Sequence, residues 1–247
     1  TITHTASNLG YARIDGGGAA SSRCFKNTNS GTIFQGLELF NAVQPIYNGA
    51  GGNPGQFHVT GCFIHDVQRF NSNAIQGASG NPTSIKESVL YFHSSSYSKI
   101  TIDYNVILRN CLITASISDD ELVTDYGGAG STASFCTFVT RPAVSATDPI
   151  VRIGKIINCI VTSMNSNGTV GVASDDHTYN LVSGQGMSTS TFRNHANNSN
   201  GSAGTGDITE QDPTFVDGDA QGSGASIAAN FQLQSTSPAI NYGTPYQ

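Results

Sequence analysis

The sequence contains little charge, and the few charged residues do not cluster. Charged residues make up 11% of the 247 residues, and the formal net charge is −6 at pH 7. We do not expect a nucleic acid partner, because binding to a phosphate backbone needs clustered Lys and Arg side chains. No apolar run approaches the roughly 18 residues of a transmembrane helix, so no membrane span is expected either.

Helical periodicity is also missing from the sequence. No stretch of eleven or more residues repeats apolar side chains at the i, i+3, i+4, i+7 spacing of an amphipathic helix, so long helices are not expected. A leucine-rich repeat would need a helical segment and a recurring L-x-x-L-x-L-x-x-N pattern, and neither is present. The chain has 28 glycines and regular apolar positions, which favour an ordered all-β fold with tight turns over disorder.

What the sequence does contain is a repeat. Seven short segments superimpose on one position, called x here, with successive spacings of 25, 26, 23, 25, 23 and 22 residues and a mean of 24. A fixed period of this length indicates a solenoid. The residues aligned at x are Leu37, Cys62, Ser88, Cys111, Cys136, Cys159 and Leu181.

The positions around x predict two strands that meet at a corner. Positions x and x+2 alternate as on a strand, but x−3 is also mostly apolar, so a bend must separate x−3 from x. Gly or Asn, which tolerate left-handed backbone, occupies five of the seven x−1 positions. These x−1 residues are Gly36, Gly61, Glu87, Asn110, Phe135, Asn158 and Asn180.

Further short apolar fragments predict a third strand in each coil. The fragments lie at 73–77, 100–103, 121–125, 149–153 and 169–173. The prediction is an all-β, right-handed, single-stranded parallel β-helix of three parallel sheets, with roughly ten coils of about 24 residues. One domain is expected over 1–247, with regular coils at 31–183, a loop-rich stretch at 184–211 and closing rungs at 212–247.

Both ends of the sequence resemble those of right-handed parallel β-helix proteins of the pectin-lyase-like superfamily. The matching segments are ARIDGGG at 12–18, GTIFQGLELFNA at 31–42, Asp212-Pro213-Thr214-Phe215, Phe231-Gln232-Leu233 and Ser237-Pro238-Ala239-Ile240. The resemblance implies the fold, but that superfamily includes pectinolytic enzymes, other polysaccharide lyases, glycosidases, phage tailspikes and adhesins. The fold by itself therefore assigns no function.

Four of the five cysteines share position x. Cys136 and Cys159 belong to adjacent coils, so their Cα atoms should lie about 4.8 Å apart, and a disulfide between them is geometrically allowed. The simpler interpretation is a stack of small buried thiols. Unpaired cysteines favour assembly in a reducing cytosol, as for a virus particle made inside a cell.

Candidate catalytic residues lie on the predicted third strands, because substrates commonly bind along that sheet in the superfamily. Asp103, Asp125 and Arg152 belong to three consecutive coils and are expected to lie about one rung apart. Two carboxylates with a basic group suit glycoside hydrolysis or β-elimination from a uronate. A solvated sheet face with an ordinary ion pair is the alternative interpretation.

Aromatic side chains near loops are candidates for stacking on sugar rings. They are Tyr47, Phe70, Tyr97 and Tyr126. No cofactor is required by any of these patterns, although the acidic loops at 119–125 and at Asp217 and Asp219 offer oxygen ligands for calcium.

Two functions remain open at this point. The first is a non-catalytic structural or adhesive β-helix, such as a phage tailspike, fibre or capsid decoration that contacts surface glycans in the virion. The non-catalytic function is favoured because the sequence lacks the signature motifs of the related enzymes. The missing motifs are N-T-D, G-H-G, R-I-K, W-I-D-H and R-x-P-x-x-R. The second is a polysaccharide lyase or glycoside hydrolase acting on acidic or bacterial surface polysaccharide.

The expected partners follow from the first function. They are a polysaccharide or other virion and surface proteins, two further copies in a homotrimer, and a partner chain or lost segment that caps the N-terminal coil. The expected location is the virion or the extracellular space.

Overall fold

The computed structural model describes sixteen stretches of the chain. They are residues 12–18, 23–27, 31–48, 57–67, 75–76, 83–93, 102–103, 106–116, 122–125, 130–141, 150–163, 170–184, 190–193, 201–209, 211–216 and 231–240. Within these stretches the regular secondary structure consists of β-strands, and there is no helix. The all-β prediction is confirmed.

The strands, numbered in chain order, form three parallel sheets. The first sheet contains Ala12–Asp15 (β1), Leu37–Ala42 (β4), Phe63–Val67 (β7), Val89–His93 (β10), Leu112–Ser116 (β13), Thr137–Arg141 (β16), Ile160–Ser163 (β19), Leu181–Gly184 (β22) and Ile208–Thr209 (β24). The second sheet contains Phe25–Asn27 (β2), Ile46–Asn48 (β5), Ile75–Gln76 (β8), Ile102–Asp103 (β11), Val123–Thr124 (β14), Val151–Arg152 (β17), Val170–Ala173 (β20) and Ser190–Arg193 (β23). The third sheet contains Thr32–Gln35 (β3), Phe57–Thr60 (β6), Thr83–Lys86 (β9), Val106–Arg109 (β12), Thr132–Ser134 (β15), Lys155–Ile157 (β18) and Asp176–Thr178 (β21).

Each coil runs through the third sheet, turns a corner into the first sheet, and returns through the second. Every pairing within the three sheets is parallel and links equivalent strands of successive coils, which is a parallel β-helix. The described part of the longest sheet has nine strands, fewer than the roughly ten coils that the sequence predicts. The right-handed sense of the coil remains a prediction.

The corner between the third and first sheets is left-handed in every described coil from 36 to 179. The backbone φ at this corner lies between 50° and 61°. The corner residues are Gly36, Gly61, Glu87, Asn110, Phe135, Asn158 and Tyr179. The predicted bend at x−1 is therefore confirmed, and it forms even where Glu, Phe or Tyr must adopt a conformation that disfavours them.

The core consists of columns in which one coil's side chain lies on that of the next. The second sheet contributes an inward column of Phe25, Ile46, Ile102, Val123, Val151, Val172 and Phe192. Successive members pair in register, except that Ile46 and Ile102 both pair with Ile75 between them. The third sheet contributes Phe34, Val59, Ile85, Leu108, Ala133 and Ile156, as the x−3 position predicts. These columns place the three sheets around one shared apolar core.

The last regular coil is offset by one residue from the sequence alignment. Ile160 pairs with Leu181, so Cys159 lies beside Asn180, and Asn180 occupies position x where the alignment put Leu181. The corner residue of this coil is Tyr179 for the same reason. Leu181 instead belongs to a second apolar cluster on the outer face of the first sheet, where it is 2% exposed. This burial explains why an apolar residue occupies an outward position.

The cysteine column satisfies the backbone at the corner. Each thiol or hydroxyl at x donates to the carbonyl two residues earlier, on the far side of the left-handed residue. These bonds run from Cys62 to Thr60, Ser88 to Lys86, Cys111 to Arg109, Cys136 to Ser134 and Cys159 to Ile157, at 3.5, 2.7, 3.3, 3.3 and 3.2 Å. All five cysteines are free thiols, in agreement with the simpler interpretation of the column.

The same column also connects successive coils. The side chain at x accepts a hydrogen bond from the backbone N–H of the x residue in the preceding coil, from Cys62 to Ser88 Oγ at 3.1 Å, from Cys136 to Cys159 Sγ at 3.4 Å and from Cys159 to Asn180 Oδ1 at 2.9 Å. Burial raises the pKa of the Cys136 thiol well above its ordinary value, and the Cys136 thiol together with burial does the same for the pKa of Cys111. These thiols are neutral structural groups.

The segment after β24 lies on the outer face of the first sheet. Phe215 and Leu233 form an antiparallel bridge, and Phe215 packs edge-on against Phe231 at a centroid distance of 5.2 Å. Both phenylalanines share an apolar cluster with Ile160 and Leu181 on that outer face. The sequence predicts closing rungs here, but the described part of 211–240 contains no strand of the three parallel sheets.

Candidate functional site

The proposed catalytic residues lie at the ends of second-sheet strands. Asp103 ends β11 and Arg152 ends β17, and both pair in register with Thr124 of β14. The backbones of Asp103 and Arg152 thus lie in one column, two rungs or about 9.6 Å apart. Asp125 follows Thr124 and lies outside that column, so the structure aligns two of the three predicted residues.

Asp125 is also poorly placed to reach a bound substrate. It is only 4% exposed, and its backbone N–H donates to the Arg152 carbonyl at 3.0 Å. Strand β14 of the second sheet ends at Thr124, so Asp125 follows the strand instead of pairing within it. Asp125 and Thr124 are both buried polar residues between the rungs of Asp103 and Arg152.

Of the four aromatic candidates, only Tyr47 falls within the described residues. It lies in β5, and the Arg23 guanidinium stands over its ring at 3.8 Å from the centroid. One face of the Tyr47 ring is therefore occupied by a cation–π contact rather than open to a sugar. Phe70, Tyr97 and Tyr126 lie outside the described residues, as do residues 119–121 of the acidic loop at 119–125 and both Asp217 and Asp219.

A chain of ionisable side chains crosses the first three rungs of the first sheet. Arg13 pairs with Glu38 at 2.9 Å, Glu38 with His65 Nε2 at 3.1 Å, and His65 Nδ1 with Asp66 at 2.8 Å. The His65 ring stacks on Phe63 at 4.3 Å. Both imidazole nitrogens face carboxylates and the Glu38 side chain is only 6% exposed, so this network joins rungs rather than presenting a base to solvent.

A second imidazole–carboxylate pair closes the described C-terminal end of the core. His177 continues the inward x−3 column and bonds Asp207 at 2.7 Å, while the backbone N–H groups of Asn180 and Gly204 donate to Asp207 at 2.8 Å each. Burial raises the pKa of Asp207, but the hydrogen bonds from His177 and the two backbone groups outweigh it, and the pKa is lowered overall. Asp207 is a structural carboxylate held in its charged form.

The acidic run at 175–177 also contains a carboxylate with a structural partner, Asp176. Asp176 forms an ion pair with Lys155 at 2.6 Å on the outer face of the third sheet, and both side chains are about half exposed. Among the described residues, no group of three or more His, Cys, Asp or Glu side chains is placed to hold a metal ion.

A concave surface follows the left-handed corner between the third and first sheets. Three adjoining cavities of about 510, 260 and 370 Å³ lie along it. We call this surface the corner groove. Residues of the corner column that line it are Glu87, Asn110, Phe135, Asn158 and Tyr179. These span four rungs, or about 19 Å parallel to the rod axis.

Phe135 is the residue that all three cavities share. Its backbone φ is 54°, a value that favours Gly or Asn, and its side chain is 37% exposed. Gly36 and Gly61 occupy the same corner position, and a Cβ atom there would meet open space, so the corner does not need a side chain for packing. The strained backbone and partial exposure of this aromatic residue make the corner a candidate binding surface.

The groove has an apolar floor, and Asn110 and Asn158 lie beside it. Val89, Leu112 and Ile160 of the first sheet form part of the floor, and Leu233 and Ala239 of the C-terminal segment form one side. In the sequence, Phe135 and Glu87 are the two x−1 residues that are neither Gly nor Asn. The exception at Phe135 was the available signal, because Gly or Asn fills most of the other corners.

No protein-family model, curated protein or solved structure matches the chain. No helix in the described stretches is long and apolar enough to span a membrane. The fold and the corner groove are therefore the observations on which a functional assignment must be based.

Proposed function

We propose that this protein is a non-catalytic, adhesive β-helix that binds an extended glycan along the corner groove. The observation that carries the proposal is the alignment of three cavities with Phe135 at their junction. An elongated groove parallel to the rod axis suits a chain-like ligand. A sugar chain offers the apolar ring faces and hydroxyl groups that a floor of Leu112 and Ile160 beside Asn110 and Asn158 would contact.

The polar networks support a non-catalytic role. Glu38 and His65 are joined to Arg13 and Asp66, Asp176 pairs with Lys155, and Asp207 is held by His177. Each of these carboxylates has a structural partner. The ends of the sequence resemble those of pectin-lyase-like β-helices, and that resemblance supports a virion spike, fibre or capsid component as the setting, acting as a homotrimer in the virion or outside the cell.

The experiment measures binding and turnover together. A panel of plant and bacterial polysaccharides is incubated with the protein, with and without calcium, and both unsaturated uronate absorbance and reducing ends are followed, while binding is measured by isothermal titration calorimetry. We expect binding without product formation. The Phe135→Asn variant should lose the binding and stay folded, because Asn occupies two other corners. Retained binding in that variant would refute the proposal.

A polysaccharide lyase or glycosidase is the second candidate function. The observation that favours it is the shared column of Asp103, Thr124 and Arg152 on the second sheet. In this case the same assay would release unsaturated or reducing products, and Asp103→Asn would abolish them. Product formation lost in Asp103→Asn but retained in Phe135→Asn would establish the enzyme.

A further inference from the structure

Part of the corner groove is built by a segment of the chain that lies outside the three sheets. The 370 Å³ cavity is lined by the corner residues Phe135 and Tyr179 and by Leu233 and Ala239 of the C-terminal segment. The described residues of this segment are 211–216 and 231–240. The shape of the groove at this end therefore depends on how the C-terminal segment is docked.

The C-terminal segment is held together by its own hydrogen bonds. Two backbone bonds of 2.8 and 2.9 Å flank the antiparallel bridge between Phe215 and Leu233. The Ser237 hydroxyl donates to the Pro213 carbonyl and so joins the two parts of the segment. Every hydrogen bond of its described residues connects two residues of the same segment. Its internal structure therefore does not depend on hydrogen bonds to the sheets.

Apolar side chains hold the described part of the segment on the first sheet. Phe215 and Phe231, each at most 7% exposed, share a cluster with three residues of the sheet. These are Ile160, Leu181 and Ile208, which are register partners on successive rungs. Hydrophobic contacts are non-directional, and separating them breaks no hydrogen bond of the sheet. Undocking of the segment should accordingly require less free energy than opening of the coils.

We infer that the C-terminal segment is a movable side of the corner groove, which docks more firmly when a ligand lies between it and the corner. The inference rests on the proposed function, because the ligand is the chain that the groove binds. A ligand that contacts both the corner and Leu233 or Ala239 binds the docked state better than the undocked state. Docking and binding then strengthen each other by the same factor, as linkage requires.

Thiol labelling measures how often the segment leaves the sheet. Leu181→Cys places a thiol at a position that is 2% exposed in the cluster beneath the segment, and mass spectrometry distinguishes its reaction with iodoacetamide from that of the five native cysteines. The matched control is Ile64→Cys, which is fully buried on the inward face of the same sheet. After correction for the stability of each variant in urea, Leu181→Cys should react about a hundredfold faster than Ile64→Cys, because only the control requires a coil to open.

A second pair of variants tests the coupling to binding. Phe231 belongs to the cluster but does not line the cavity, so Phe231→Ala weakens docking without removing a contact to the ligand. Combined with Leu181→Cys, it should raise the labelling rate about tenfold or more. By itself it should lower the affinity for a binding oligosaccharide severalfold, since fewer molecules are docked. Ile64→Ala, which removes a buried side chain away from the groove, should leave the affinity unchanged.

Two results would overturn the inference and leave the proposed function standing. One is labelling of Leu181→Cys no faster than that of Ile64→Cys, and the other is a Phe231→Ala variant that loses no more affinity than Ile64→Ala. If the wild type binds no oligosaccharide, the proposed function fails and the labelling alone decides. Fast labelling of Leu181→Cys that Phe231→Ala accelerates would then support the movable segment, and slow labelling would overturn it.

Discussion

The left-handed corner makes a specific prediction about backbone strain at Glu87. Glu87 has a φ of 50° and is exposed, and it occupies the same corner position as Gly36 and Gly61. The perturbation is Glu87→Gly. The substitution removes a Cβ atom from a conformation that L residues disfavour, and at the two glycine corners the corresponding position faces open space.

The size of the effect follows from two opposing contributions. A left-handed conformation costs an L residue about 1–2 kcal/mol, and the substitution recovers that energy. The glycine raises the conformational entropy of the unfolded chain, which costs roughly 0.5–1 kcal/mol. The net expectation is a gain of about 0.5–1 kcal/mol in the free energy of unfolding, or roughly 1–4 °C in Tm for a domain of this size.

Urea unfolding followed by circular dichroism measures the change in the free energy of unfolding. The control is Lys86→Gly, one residue earlier in strand β9, where φ is not positive. It has the entropy cost without the relief of strain, so it should destabilise by about 0.5–1 kcal/mol. The reasoning is refuted if Glu87→Gly destabilises the protein as much as Lys86→Gly does.

Three further predictions concern the buried polar groups. Asn180→Ala leaves the Cys159 N–H and the Ile156 carbonyl without their side-chain partner, so urea unfolding should show a loss of about 2–4 kcal/mol; a loss below that of a control at the partly exposed Asn158, Asn158→Ala, would contradict these bonds. The pKa of Asp207 is lowered from 3.8 in the folded state, so its contribution to stability is present above that pH and is lost as the pH falls further; Asp207→Asn should flatten this acid limb in pH-dependent thermal unfolding, and an unchanged limb would speak against it. The pKa of Cys136 is raised above 9.0 in the folded state, so stability should fall as the pH rises past 9.0; a Cys136→Ser variant with the same alkaline loss would show that other groups cause it.

Much of the fold could be predicted because each coil repeats the same local constraints. The x and x+2 alternation, the corner at x−1 and the third-strand fragments all follow from residue types whose conformational preferences are local. The register of six coils, from Leu37 to Cys159, agrees with the alignment.

The offset at Leu181 shows where this reasoning stops. Leu181 faces outward but is apolar, because the C-terminal segment covers that part of the first sheet. Nothing local to Leu181 distinguishes an inward apolar residue from an outward one that a distant segment covers. The converse holds for Asn180, which the sequence places at the corner because Asn favours left-handed backbone. Its bonds to Cys159 and Ile156 show that its amide is buried at position x.

The candidate site was harder to predict than the fold. The strip of Asp103, Asp125 and Arg152 was inferred from spacing, and a one-residue difference in strand ends places Asp125 outside the column. The corner groove depends on Phe135 being exposed and on three coils and the C-terminal segment together enclosing a cavity. Sequence periodicity describes neither exposure nor concavity.

The most direct test of the account is an NMR titration that locates the bound glycan. Amide shifts of the ¹⁵N-labelled protein are followed as a binding oligosaccharide from the panel is added. The account predicts that the largest shifts lie along the corner, from Glu87 through Asn110 and Phe135 to Asn158. Shifts confined instead to the second sheet around Thr124 and Arg152 would contradict it and place the ligand on the strip of the alternative enzyme.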